Sequence, residues 1–372
     1  MAEDVSRRQA LAGGSEARES FHSVRLEIGL SRQPTIKDVA SKAEVSFKTV
    51  SRVLNGEPHV RKEVRERVLA AAAALDYRPN IAARGLIGGR SRLIGFLYDN
   101  PNYSYVTEAE IGALLRCREA GYHLAVEPVD SRGDVPRQIE QIISSLRLDG
   151  VILTPPISDD PGALAVLDRL GVAHVRIAPE AGRDKGPCVF IDDEAAAFAL
   201  TRHLIGLGHS TIGFVQGHPD HGASHLRQAG FERAMAQAGL TTRPAHMVQG
   251  YFTFESGMSA GRALLDAPDR PTAVFAANDK MALGVMAAAR ELGLSAPEQI
   301  SIAGFDDTRA AQISSPQLTT VRQPVDIMCQ AAADMLITLA ANEALDDPAL
   351  QLPFEIRARG STAAPAAEPQ SV

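Results

Sequence analysis

From Leu93 onward the chain repeats one pattern, a short apolar run followed by an amphipathic helical stretch. LIGFLYD, HLAVEPV, GVILTPP, AHVRIAP and CVFID form one group of runs, and TIGFVQG, TAVFAAND, SIAGFDD, TTVRQP and FEIRARGS form a second. Segments such as EIGALLRCREAGY, QIEQIISSLRL, AAAFALTRHLIGLGH and KMALGVMAAARELG fill the gaps. Apolar strands joined by crossover helices indicate parallel α/β sheets, and ten such runs predict two lobes. Ligands of these sheets sit beyond the carboxyl ends of the strands. Here those ends carry Asp99 and Asn100, Arg176, His218, Asn278 and Asp279, Asp306 and Asp307, and Arg322 and Gln323. A cleft lined by acids, amides and guanidinium groups suits a small polar ligand, because such groups hydrogen-bond sugar hydroxyls.

The segment before the first strand follows another period. Thr35 is a good N-cap with Asp38 three residues on, and Ile36, Val39, Ala40 and Ala43 keep the i, i+3, i+4, i+7 spacing of a helix. Ser46 caps a second helix with Val50, Val53 and Leu54 inward, ended by Asn55 and Gly56. A third runs from about Arg61 with Val64, Val68, Ala71 and Leu75 inward and gives out across Asp76, Tyr77 and Arg78 ahead of Pro79. Two helices joined by about three residues and closed by a third describe a helix-turn-helix domain. The outer face of the second helix carries Phe47, Lys48, Ser51, Arg52 and Asn55, an aromatic ring among hydrogen-bond donors. Beyond Pro79, NIAARGLIGGR holds one short helical pattern, Ile81 to Leu86, interrupted by Gly85, and reads as a hinge that orders only when held.

Charge separates the same two regions. Residues 31–92 hold 13 Lys+Arg against 6 Asp+Glu, a balance of +7, whereas the remainder has 25 basic and 39 acidic residues, a balance of −14. A basic segment on an acidic body is the electrostatic form of a polyanion-binding head. With 372 residues the chain exceeds one small core, and two or three domains are expected. No apolar run is long enough for a membrane-spanning helix or an export signal, which predicts a cytoplasmic protein. Cys117, Cys188 and Cys329 lie far apart, against both a disulfide framework and a CxxC metal site.

The run VASKAEVSFKTVSRVLNGEPHVRKEVRERVLAAAAALDYRPNIAARGL closely resembles the head of lactose-repressor (LacI/GalR) family transcription regulators. HLIGLGHSTIGFVQG, RQAGFERAM, RPTAVFAANDKMALG, ISIAGFDDT and PQLTTVRQP extend the resemblance over roughly residues 34 to 362. It implies a helix-turn-helix head on a two-lobed, periplasmic-binding-protein-like core, and no cofactor. The expected layout is a tail at 1–33, the DNA-binding domain at 34–78, a hinge at 79–91, the effector-binding and dimerisation domain at 92–362 and a tail at 363–372. Its partners would be near-palindromic operator DNA, a small effector such as a sugar, and a second copy of the chain. The last twelve residues lack a heptad, which favours a dimer over a coiled-coil tetramer.

The resemblance also implies site residues. In this family the second helix lies in the major groove, so Phe47, Lys48 and Arg52 would meet base edges, while Ser46, Thr49, Ser51, Asn55 and His59 would meet phosphates. Thr35 joins the DNA-binding set. Leu86 matches the leucine wedged into the minor groove, and Ala83 the small residue on the same hinge helix. Glu44 stands where glycine is usual in the turn and is expected at positive φ. For the effector, Arg227, Asn278 and Asp306 match the binding arginine, amide and carboxylate, and Phe252 an aromatic wall. Tyr105 faces the cleft from the first lobe, Gln323 lies at a crossover strand, and Asp99 enters from its strand-end position.

Other classes fit less well. HPDHGASH brings His218, His221 and His225 near Asp220, but without the spacing of a zinc helix, and reads as a cleft loop. No GxGxxG follows the first strand and no GxxxxGK(S/T) occurs, and where His and Asp lie near one another no nucleophile is placed with them, against an enzyme. A periplasmic sugar-binding protein would suit the core but neither the basic head nor the missing export signal.

Overall fold

The computed structural model describes residues 34–54, 60–77 and 90–366. The chain divides into two compact units, Met1–Arg84 and Gly85–Val372. In the first, α1 (Ile36–Ala43), α2 (Phe47–Leu54) and α3 (Lys62–Ala74) surround Val39, Ala43, Val50, Val53 and Val68. Helices of eight residues are too short to persist alone, so this packing holds them. Burying one valine contributes about 1.5–3 kcal/mol. Thr35 closes a capping box: Asp38 N–H donates to its Oγ1 at 3.4 Å, and its own N–H donates to Asp38 Oδ2 at 2.7 Å. Glu44 takes the left-handed geometry expected of it, φ 51 and ψ 46. The hinge, with Ala83, Gly85 and Leu86, lies outside the described residues, as do Asn55 and His59.

The second unit has two lobes, each on a six-stranded sheet. Lobe one contains β1 (Leu93–Tyr98), α4 (Tyr103–Glu119), β2 (His123–Pro128), α5 (Val135–Leu146), β3 (Gly150–Leu153), α6 (Pro161–Leu170), β4 (Ala173–Ile177) and β5 (Cys188–Phe190). The chain then builds lobe two from α7 (Asp193–Gly206), β6 (Ile212–Gln216), α8 (Gly222–Gln237), β7 (Met247–Gln249), α9 (Phe254–Leu265), β8 (Ala273–Ala276), α10 (Asp279–Glu291), β9 (Ser301–Asp306), α11 (Arg309–Ile313) and β10 (Thr319–Arg322). It returns to lobe one for α12 (Val325–Ala340), packed along α4, and β11 (Ala349–Gln351), then crosses back for β12 (Glu355–Arg357).

The sheet orders are β11-β5-β4-β3-β1-β2 and β12-β10-β9-β8-β6-β7. The first is parallel throughout; in the second only β12 runs antiparallel, against β10. Burial on both faces explains the near-continuous apolar runs of the central strands. Gly112 lets α4 approach α12, since a Cβ there would lie 2.1 Å from the Asp326 carbonyl.

Among the described residues twelve strands replace the ten expected. β7 and β11 escaped because each is a three-residue edge strand without a buried residue, too short for any period. FEIRARGS also contributes less strand than anticipated, pairing only over Glu355–Arg357. No helix among the described residues is long and apolar enough to cross a membrane.

Candidate functional site

On α2, the pattern separates two faces. Val50 and Val53 are buried, whereas Lys48 and Arg52 are exposed and Phe47 is 49% exposed. Leaving an aromatic side chain in water forgoes about 1.5–3 kcal/mol of burial, so its exposure fits a surface shaped for contact. Ser46 caps the helix: Thr49 N–H donates to its Oγ at 3.1 Å, and the two hydroxyls lie 2.9 Å apart. Ser51 is half-buried on the same helix. The Thr35 hydroxyl donates to Asp38 at 2.6 Å. Ser46, Thr49 and Thr35 are therefore positioned as helix caps or cap partners before any partner arrives.

In the second unit, two of the cavities between the lobes carry the expected effector residues. The inner one, about 30 Å³, is lined by Tyr105, Arg227, Phe252, Asn278, Asp306 and Gln323, six of the seven expected effector residues, drawn from both lobes. Asp99 lies instead on the outer cavity of about 600 Å³ and accepts from Ser131 N–H at 2.9 Å. Arg176, expected at a cleft-facing strand end, is buried and donates to the Ala181 and Gly182 carbonyls. It holds the loop after β4 and lines neither cavity.

Arg227, on α8, donates from Nε to Asp193 at 2.8 Å and from Nη1 to the Ala277 carbonyl at 2.7 Å. Its guanidinium lies over the Phe305 ring at 3.6 Å, and Nη1 is 3.7 Å from Asp306. Asp306 accepts from Gln323 at 2.6 Å and, across the cleft, from Asn102 Nδ2 at 3.1 Å. Asn278 caps α10 by accepting from Met281 N–H at 2.9 Å and donates to the Phe252 carbonyl at 3.2 Å. Both polar atoms of the Asn278 side chain are thus committed to local structure.

Burial dominates the electrostatics. It pushes the Asp306 carboxyl up to about 6, although Arg227, Gln323 and Asn102 favour the charged form. Asp279 behind it, held by Thr308 and Thr320, also lies well above the carboxylate range through burial and the charge of Asp306. Burial and then His218 lower His221 to about 4, so its ring is neutral near pH 7. Backbone strain gathers here too: Ala178, Phe252 and Asp306, all on the inner cavity, have φ of 45°, 60° and 119°. For a residue other than glycine the left-handed region costs on the order of 1–2 kcal/mol, and such strain concentrates at functional sites.

Two participants were not read from the sequence. Asp193, at the start of α7, is the ion-pair partner of Arg227. Asn102 spans the lobes through Asp306 and leaves its own buried Oδ1 without a partner. The polar run DNPN after β1 was its only signal, of which sequence reasoning retained Asp99 and Asn100. The histidines of HPDHGASH part company: the rings of His218 and His221 lie 5.2 Å apart, tilted by 59°, while His225 meets Glu180 of lobe one at 3.0 Å. Among the described residues no group of three or more His, Cys, Asp or Glu is arranged to hold a metal ion.

Comparison with known proteins places both units. Residues 35–80 match bacterial regulatory proteins of the lacI family, and residues 201–362 match the periplasmic binding protein-like domain. Catabolite control protein A of Priestia megaterium is 34% identical over 330 residues, covering 88% of this chain and 99% of that protein. The transcriptional repressor PurR of Escherichia coli is 32% identical over 333 residues, with 88% and 97% covered. Among solved structures, the lac repressor dimer bound to operator and the anti-inducer ONPF aligns with a TM-score of 0.79 at 30% identity, covering 90% of this chain and all of that one. The complex of the regulator CelR with cellobiose aligns at 0.68 and 29%, covering 88% and 99%.

Proposed function

Because this chain belongs to the lacI family of bacterial regulatory proteins, a family of DNA-binding repressors controlled by ligands, we propose that α2 reads a near-palindromic operator and that the interlobe cleft senses a sugar or sugar derivative. Phe47, Lys48 and Arg52 contact base edges, while Ser46, Thr49 and Ser51 fix the helix on phosphates. Asn55, His59, Ala83 and Leu86 act with them on the basis of the family resemblance. The chain works as a cytoplasmic homodimer, organised as tail, head (34–78), hinge (79–91), sensor (92–362) and C-terminal tail.

The observation that carries the sensing role is the hydrogen bond between Asn102 and Asp306, made across the cleft inside a cavity that also holds Arg227. A ligand hydroxyl that donates to Asp306 competes with Asn102, and one that donates to the unpartnered Asn102 Oδ1 reinforces it. A hydrogen bond to a charged group contributes about 1.5–3 kcal/mol. Making or breaking it shifts the ratio of open to closed lobes roughly ten- to hundredfold, within the usual range of allosteric coupling. That shift alters the spacing of the paired heads. Replacing Arg227 by alanine removes the guanidinium that anchors the ligand, so operator binding should persist while the response to ligand disappears. Genome-wide mapping of bound sites supplies the operator and the candidate sugars, and gel-shift titration measures the response; a response that survives Arg227→Ala refutes this pocket.

A further inference from the structure

The inner cavity has room for about two water molecules at roughly 10–15 Å³ each, far less than a sugar ring needs. A sugar unit reaches Asp306 and Arg227 only as the Asn102–Asp306 bond gives way. The outer cavity is already open, and its volume of about 600 Å³ is ordinary for a small-molecule pocket. Asn100 and His221 line both, so the two chambers adjoin and a ligand of more than one ring can reach both.

The outer chamber has its own chemistry. Tyr103 is 69% exposed and Tyr251 47%, and both rings face this cavity rather than a core. His218 sits edge-on to Tyr251 with centroids 5.7 Å apart. Half-exposed aromatic rings bounded by polar groups offer an apolar face to the C–H side of a pyranose and hydrogen bonds to its hydroxyls. Asp99, Asp130 and Asp220 line the chamber against the single cation Arg132, which is itself 3.6 Å from Asp130. At the rim, Lys280 is engaged with the Pro101 carbonyl. His221 adds no charge near neutral pH. An excess of carboxylates repels a phosphorylated ligand and leaves an uncharged one unaffected.

Resting on the effector reading above, we infer that the ligand is an uncharged saccharide of at least two units: one bound by Arg227 and Asp306, the next stacked in the outer chamber on Tyr251 beside His218. The outer unit supplies binding that a monosaccharide cannot gain, and the acidic lining selects against sugar phosphates.

Isothermal titration calorimetry on the full chain tests this with glucose, galactose, their α- and β-linked disaccharides and the 6-phosphates of both hexoses. One disaccharide should bind at least tenfold more tightly than its constituent monosaccharides, and the 6-phosphates more weakly than the parent sugars. Tyr251→Ala should pull the ratio of disaccharide to monosaccharide affinity toward one, whereas Arg227→Ala should lower both affinities together. A monosaccharide that binds as tightly as its disaccharides overturns the two-unit inference. So does a ratio that survives both Tyr251→Ala and His218→Ala, or a preference for a 6-phosphate. Each of those outcomes leaves the sugar-sensing cleft standing. Failure of the unmodified protein to bind any sugar of the panel overturns the cleft's assignment itself.

Discussion

Replacing Asp306 by asparagine should make the protein more stable near pH 8 and unresponsive to its effector. Arg227 faces two carboxylates, Asp193 at 2.8 Å and Asp306 at 3.7 Å, so the buried group carries one negative charge in excess when both are ionised. Burial raises Asp306 from an ordinary 3.8 to about 6. The folded protein therefore holds this proton more tightly than the unfolded chain does. The stability it contributes is complete below about pH 4 and is lost as pH rises through 6. About two pH units correspond to on the order of 3 kcal/mol.

Asparagine keeps the acceptor for Gln323 and leaves Arg227 and Asp193 as a neutral pair. It also offers a donor that a flipped Asn102 amide can accept, and it relieves the buried Asp279 of a neighbouring charge. Urea unfolding followed by circular dichroism between pH 4.5 and 8 reads the difference. The variant should gain on wild type as pH rises, by up to about 3 kcal/mol over that window. A difference independent of pH, or a variant that loses ground toward pH 8, refutes the claim that burial of an excess carboxylate strains this site.

Two further outcomes concern the head. Arg52→Ala should weaken binding to a mapped operator by about 1–3 kcal/mol while costing far less on random duplex, as measured by fluorescence anisotropy at fixed salt; equal losses on both would remove Arg52 from base readout. Glu44→Gly relieves the left-handed φ of 51° and should stabilise α1 and α2 by about 0.5–1 kcal/mol. Amide hydrogen exchange in the full chain would then slow about two- to fivefold across both helices, and unchanged or faster exchange would contradict the strain argument.

The architecture was legible wherever an element was long enough to show a period or was buried on both faces. LIGFLYD and SIAGFDD read as strands from their short apolar runs, and Thr35 and Ser46 announced their helices because a side-chain cap is a local hydrogen bond. β7 and β11 were invisible because three edge residues carry no period. Arg176 looked like a cleft residue from its place in the strand, yet its partners are carbonyls five and six residues away that no pattern announces. Asn102 and Asp193 escaped for the same reason: each acquires its role from a side chain at least 34 residues distant, brought near by the crossing of the chain between lobes. The family resemblance supplied Arg227, which lies within a helix, and singled out Asp306 from many polar strand ends that hydropathy alone would not have told apart.

The path of the C-terminal segment bears on how the protein is made. Lobe one lacks its edge strand β11 and the covering helix α12 until residue 351 has been added, and lobe two lacks β12 until residue 357. A ribosome has by then synthesised the head and both sheets' central strands. The nascent chain thus carries an operator-reading module before either half of its sensor is complete, and a chain that stopped before residue 349 would leave both sheets open at one side.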